Sequence, residues 1–117
     1  MSEEKLANKQ AFIIVASVLL FEDDDIWVAQ CLEYDIVAQG ATVDLARRSF
    51  EKTFVGQIIL DVVHKKAPLQ GIDKAPKFFW DKFDDAKQRH SGRKPIYLPY
   101  LVPPAVKASV DEYILES

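Results

Sequence analysis

Hydrophobic and polar positions divide the first forty residues into three runs. Residues 11–21 are almost continuously apolar and rich in β-branched and aromatic side chains, which predicts a strand covered on both faces. The shorter runs 26–32 and 36–39 predict a second and a third strand, the second antiparallel to the first. Residues 22–25 are all acidic and predict a polar turn between the first two strands. We therefore expect a three-stranded meander at the start of the domain.

A long amphipathic helix is the next element that the pattern predicts. Thr42 is a suitable N-cap, and Asp44 lies in the first turn, where the helix dipole favours an acidic side chain. Apolar side chains then recur at helical spacing: Ala46, Phe50, Phe54, Ile58 and Val62. Residues 64–66, His-Lys-Lys, and Pro68 indicate where the helix ends. This stripe predicts one helix that lies across a face of the meander.

The rest of the chain is predicted to add two helices and one strand. Residues 77–89 predict a short helix, with an apolar face made of Phe79, Phe83 and Ala86. Residues 96–102 predict a strand, which Pro99 confines to a sheet edge or a bulge. Pro103 and Pro104 predict the start of a C-terminal helix. The apolar side chains of that helix are Val106, Val110, Tyr113 and Ile114.

Together these elements predict an α+β fold. An antiparallel β-meander of three strands, with a fourth strand, packs on one long α-helix, and a short helix and a C-terminal helix follow. The 117 residues suit one domain of ordinary size. We expect residues 1–10 to be a flexible N-terminus. Residues 11–117 should form a single domain, with a C-terminal extension from about residue 67.

The balance of charged residues favours some kinds of binding partner over others. Fifteen Lys and Arg residues face eighteen Asp and Glu residues, which gives a net charge of −3. This balance argues against dedicated nucleic-acid binding, which needs a basic patch, and it suits a basic protein partner. Cys31 is the only cysteine, and we expect it to be buried in a strand of a protein from a reducing cytoplasm. The N-terminus lacks the apolar core of a signal peptide, and residues 11–21 are too short to span a bilayer, so we expect no membrane contact.

No arrangement of residues in the sequence indicates catalysis. Asp23, Asp24 and Asp25 form an acidic run, but a calcium loop spaces its ligands and contains a turn glycine, so a solvated hairpin turn is expected. His64 and His90 lie near predicted helix ends, where a cation is favourable without any catalytic role. Nucleophile motifs, phosphate-binding loops and Cys/His metal spacings do not occur. We therefore expect a protein that is not an enzyme, has no nuclease activity and uses no metal or cofactor.

Two sets of residues are candidates for contact with a partner. Glu33-Tyr34-Asp35 crosses from the second strand to the third, and two carboxylates beside an aromatic ring suit a basic protein. Trp80 is the second candidate, because it lies off the face formed by Phe79 and Phe83. Structural roles are the alternative for both sets. Tyr34 would then cover the end of the sheet, and Trp80 would pack in the core.

Two motifs between residue 11 and about residue 65 carry a family resemblance. The second strand opens Ile26-Trp27-Val28-Ala29-Gln30, and the helix entry reads Gly40-Ala41-Thr42-Val43-Asp44-Leu45-Ala46. In order and spacing, this half of the chain resembles the HicB-like antitoxin domain. That resemblance implies a partly formed ribonuclease-H-like fold. It also implies that the chain binds a small basic toxin protein and blocks the RNA cleavage of that toxin.

The sequence departs from the family in two places. Leu32-Glu33-Tyr34-Asp35-Ile36 replaces the usual Leu-Pro-Gly-Cys crossing, and nothing after residue 66 resembles the operator-binding module of typical members. We therefore expect a solitary HicB-like protein. We also expect it to form a homo-oligomer, most simply a dimer, because short edge strands favour pairing with a second copy. Two alternatives stay open. One is a scaffold or small-ligand-binding domain that shares only the fold, and the other is a nucleic-acid-binding regulator that uses Arg47, Arg48 and Lys52.

Overall fold

The computed structural model describes residues 12–85 and 88–115, so the predicted flexible N-terminus lies outside the described residues. Two helices and five strands make up this part of the chain. In chain order they are β1 (Phe12–Asp23), β2 (Ile26–Cys31), β3 (Val37–Gly40), α1 (Val43–Val63), α2 (Lys77–Asp85), β4 (Gln88–Ile96) and β5 (Val106–Leu115). The fold is a mixed α+β arrangement with a single sheet.

The five strands form one sheet in the order β3-β2-β1-β5-β4. Strand β1 pairs antiparallel with β2 and parallel with β5, and the parallel register places Phe12 opposite Val106 and Leu20 opposite Ile114. Strand β4 pairs antiparallel with β5 and forms one edge, while the four-residue β3 forms the other. The C-terminal strand therefore lies inside the sheet, next to the first strand of the chain.

The predicted architecture was wrong in its second half. Residues 106–115 form the interior strand β5 and no C-terminal helix, and the fourth strand is Gln88–Ile96 instead of residues 96–102. Val106, Val110 and Ile114 are four residues apart, a spacing that suits one face of a helix and also one face of a strand. Pairing with Phe12–Leu20 of β1 stabilises these residues as a strand.

Residues 97–105 connect β4 to β5 and lie outside both strands. A strand was predicted for residues 96–102, but β4 ends at Ile96. The connection contains three prolines, Pro99, Pro103 and Pro104, whose nitrogen atoms cannot donate the hydrogen bonds of a strand ladder. The short helix predicted for residues 77–89 ends at Asp85; the predicted helical position of Ala86 lies outside the described residues, and β4 begins at Gln88.

The first three strands and the long helix lie close to where the hydrophobic pattern places them. Helix α1 begins after Thr42, whose hydroxyl accepts a hydrogen bond from the Leu45 amide at 3.2 Å. Gly40 ends β3 next to the helix entry, and a Cβ atom there would lie 2.6 Å from the backbone nitrogen of Ala46. Only glycine allows this close approach, which explains the Gly-x-Thr spacing.

Two hydrophobic clusters lie on opposite faces of the sheet. On one face Phe50, Phe54 and Ile58 of α1 pack against alternate residues of β1, including Val18 and Leu20. On the other face α2 covers Leu19, Leu32 and Leu115 with Phe79, Trp80 and Phe83. Because side chains alternate across a strand, β1 contributes to both clusters and is covered on both sides, as its continuous apolar run predicts.

Candidate protein-binding site

The Glu33 carboxylate of the crossing segment turns towards the sheet. Its Oε1 atom accepts a hydrogen bond from the backbone N–H of Ser17 at 2.7 Å and lies 3.8 Å from the Cys31 sulfur. The neighbouring backbone bond, from the Leu32 N–H to the Ser17 carbonyl, is 2.9 Å long. Glu33 therefore acts as a ladder partner for β1 where the pairing with β2 ends.

Tyr34 and Asp35 are also tied to the surrounding structure. The Tyr34 ring packs, half-buried, against the α1-side cluster, and burial raises the pKa of its hydroxyl. Asp35 donates its backbone N–H to the Asp73 carbonyl at 2.7 Å and accepts a hydrogen bond from the Gln30 side chain at 3.1 Å. Of these three side chains only that of Asp35 is exposed. The crossing therefore exposes one carboxylate, that of Asp35, whereas the Glu33 carboxylate and the Tyr34 ring are half-buried.

Trp80 lies half-buried on α2. Its ring packs against the cluster of Leu19, Leu32 and Leu115, and the Lys74 ammonium lies 5.8 Å from the ring centroid. Trp80 thus has the predicted core contact and also an accessible edge, on the same helix as several exposed carboxylates.

An acidic surface that sequence reasoning missed lies where the β1–β2 hairpin meets α2. Phe21, next to the hairpin turn, contacts Phe79 of α2 with ring centroids 6.3 Å apart. Phe78 stacks edge-on against Phe79 at 5.1 Å yet remains 65% exposed. We call this surface the acidic end. Its carboxylates are Glu22, Asp23, Asp24, Asp25, Asp81, Asp84 and Asp85.

Cations already occupy part of the acidic end. The Lys82 ammonium lies 4.9 Å from the centroid of the Phe21 ring and 6.0 Å from that of Phe78, and Lys77 forms an ion pair with Asp81 at 2.9 Å. These two lysines face seven carboxylates, so the surface keeps a strong negative charge. The aromatic faces there attract ammonium groups through their quadrupole, as the position of Lys82 illustrates.

The hairpin turn holds its aspartates in a fixed conformation. Asp24 and Asp25 have φ angles of 54° and 66°, and Asp23 pairs with Ile26, which makes a two-residue turn of the mirror-image type. This is the solvated turn that the acidic run predicted. Within residues 12–85 and 88–115, no group of three His, Cys, Asp or Glu side chains is placed to hold a metal ion.

A groove of about 370 Å³ lies on the other side of the molecule, between α1 and β4. Apolar side chains, among them those of Leu20 and Val110, form its floor. Buried Glu112 accepts hydrogen bonds from Arg47 at 2.9 Å and from Lys94 at 3.1 Å. The basic helix face suggested for nucleic-acid binding is therefore partly neutralised, because Arg47 also pairs with Asp44 at 2.8 Å.

Asp111 and Cys31 are two further titratable groups whose surroundings explain their state. The Arg93 guanidinium donates two hydrogen bonds, of 3.0 and 2.8 Å, to the Asp111 carboxylate, and His90 lies 3.3 Å from the same carboxylate. The hydrogen bonds from Arg93 hold the pKa of Asp111 below its usual value. Burial raises the pKa of Cys31 to about 12, which keeps the thiol protonated and unreactive near neutral pH. None of these groups forms a nucleophile–base arrangement with the others.

Comparisons with known proteins add no assignment. No protein-family model matches the chain, and searches of curated proteins and of solved structures return no significant match. In the described part of the chain, neither helix is long and apolar enough to cross a membrane.

Proposed function

We propose that this chain is a HicB-like cytoplasmic protein that acts by binding a small basic protein, of the kind that a toxin ribonuclease represents, and not by catalysis. The acidic end is the surface that takes the partner. Trp80 lies on the same helix, and Asp35 is the exposed carboxylate of the crossing segment.

The single observation that carries this proposal is the contact between Phe21 and Phe79. It brings the acidic hairpin and the acidic helix together around the exposed ring of Phe78. A surface of one charge sign accelerates encounter with a partner of the opposite sign, and an exposed aromatic residue provides an anchor once contact is made. Lysine and arginine side chains of the partner would replace Lys82 over the rings.

The test needs a small basic protein encoded by a reading frame adjacent to that of this chain, and the absence of any such reading frame in the host would count against the proposal. The partner is purified, and its association with the wild type is compared with that of Asp84→Lys and Phe78→Ala. We expect Asp84→Lys to slow association, most strongly at low salt, and Phe78→Ala to speed dissociation. Glu51→Lys on α1 is the matched control, because it makes the same change in net charge on an exposed helix position away from the acidic end.

Two outcomes would contradict the proposal. If Asp84→Lys and Glu51→Lys slow association equally, net charge acts without a defined site. If neither Phe78→Ala nor Asp84→Lys alters the kinetics while Asp35→Lys does, the partner contacts the crossing segment and not the acidic end.

Small-ligand binding is a second candidate, and the groove beside α1 favours it. The groove combines an apolar floor with the exposed guanidinium of Arg48, which has no hydrogen-bond or ion-pair partner among the described residues. A small apolar carboxylate would suit such a site. A set of aryl and alkyl carboxylates should then raise the melting temperature of the wild type and not that of Arg48→Ala.

A further inference from the structure

The end of the sheet opposite the acidic end is apolar and exposed. Tyr97 and Tyr100, in the connection between β4 and β5, are 89% and 100% exposed, and Leu101 beside them is 50% exposed. Phe12 and Ile13 at the start of β1 are also exposed, and they lie at the same end because they pair with Val106 and Lys107. We call the surface of Phe12, Ile13, Tyr97, Tyr100 and Leu101 the apolar end.

The connection that carries the tyrosines is held in place. Val102 is buried in the α1-side cluster, and its N–H donates to the Pro99 carbonyl at 2.9 Å. The Val106 N–H donates to the Pro103 carbonyl at 2.9 Å, and the Phe12 N–H donates to the Ala105 carbonyl at the same distance. Prolines restrict the backbone further, so little entropy is lost when this surface binds.

Few charges lie at the apolar end, since residues 95–106 contain no Asp, Glu, Lys or Arg, and exposed Lys107 borders it opposite Ile13. This matters because a two-fold interface places each patch against its own copy, where a charged surface repels itself. The acidic end is therefore excluded as the contact surface of a two-fold dimer. The edge of β4 is unsuitable for the same reason, because antiparallel pairing of two β4 strands would bring Arg89, Arg93 and Lys94 against one another.

We propose that the apolar end is the contact surface of a two-fold homodimer of this chain, with Tyr100 as its central anchor. Burying one tyrosine removes roughly 150–250 Å² from water, and a standard interface buries about 800 Å² on each partner. Tyr97 and Tyr100 therefore supply about half of the required area, and Phe12, Ile13, Leu101 and the prolines extend it. This inference does not depend on the proposed function, because it concerns the other end of the molecule.

The test is the mass in solution of the full chain, measured by light scattering and sedimentation at micromolar concentrations. We expect the wild type to have twice the 13.3 kDa of one chain. Tyr100→Glu places a carboxylate against its own copy and should raise the dimer dissociation constant by at least about 100-fold. Leu60→Glu is the matched control, because Leu60 is likewise an exposed apolar residue but lies on α1, and this variant should remain dimeric.

A cross-linking experiment gives an independent readout. Cys31 is buried, so a cysteine introduced as Leu101→Cys is the accessible thiol for a short bis-maleimide linker. Leu101→Cys should yield a covalent dimer, and Leu60→Cys should not. A monomeric wild type, a Tyr100→Glu variant that dimerises as tightly as the wild type, or cross-linking only through Leu60→Cys would each overturn the proposal.

Discussion

Replacing Glu33 by alanine removes the side-chain oxygen that accepts the Ser17 N–H at 2.7 Å and leaves a half-buried strand amide without that partner. A hydrogen bond to a charged group contributes roughly 1.5–3 kcal/mol, so we expect a loss of about 2 kcal/mol in the free energy of unfolding. For a chain of 117 residues this corresponds to a melting temperature lower by roughly 8 °C. Glu33→Gln keeps an oxygen acceptor but no charge, so it should cost about 1 kcal/mol.

The assay is urea unfolding followed by the fluorescence of Trp27 and Trp80, which report on opposite faces of the sheet. With a typical slope for a small domain, a loss of 2 kcal/mol lowers the midpoint by roughly 1 M. Glu22→Ala is the control, because Glu22 is an exposed glutamate of the same strand as Ser17, and such a change stays within about 0.5 kcal/mol. Equal midpoints for Glu33→Ala and Glu22→Ala would refute the reasoning and would free Glu33 for contact with a partner.

Three further predictions follow from local geometry. Asp25→Gly should stabilise the fold by about 0.5–1 kcal/mol, because glycine adopts the φ of 66° found there without strain. The melting temperature should rise accordingly. Cys31 should resist thiol reagents at about pH 8 until the chain unfolds, because its pKa is raised to about 12, and rapid labelling of the native protein would contradict this. Because folding lowers the pKa of Asp111, its charged carboxylate stabilises the fold at pH values above 3.8, the usual pKa of an aspartate. This stabilisation is lost as the pH falls through the lower pKa of the folded state. Asp111→Asn should therefore weaken the dependence of the urea midpoint on acidic pH.

Local signals explain what the sequence could predict. The apolar run of β1, the acidic turn and the stripe of α1 each reflect interactions within one element or between neighbours in the chain. Strand β4 gives no such signal, because residues 89–94 lack apolar side chains and are exposed apart from the half-buried Gly92, as suits an edge. Strand β5 has a spacing that suits either a helix or a strand, and its pairing with β1 across some ninety residues decides between them.

The candidate sites show the same limit. The acidic residues of the hairpin and of α2 are evident in the sequence, but their proximity depends on the contact between Phe21 and Phe79, which joins the hairpin to α2. The inward turn of Glu33 depends on its hydrogen bond with the Ser17 amide of β1. Both are tertiary contacts, and neither follows from the periodicity or the composition of a single segment.

The parallel pairing of β1 with β5 has a consequence for synthesis in the cell. Until the last strand has left the ribosome, one side of β1 has no neighbour, and an apolar strand with a free edge is a template for aggregation. The domain must therefore complete its sheet only after β5 has been synthesised, from contacts distant in sequence, which slows folding. A nascent or truncated chain that lacks β5 would leave this edge of β1 exposed and would be a substrate for chaperones or proteases.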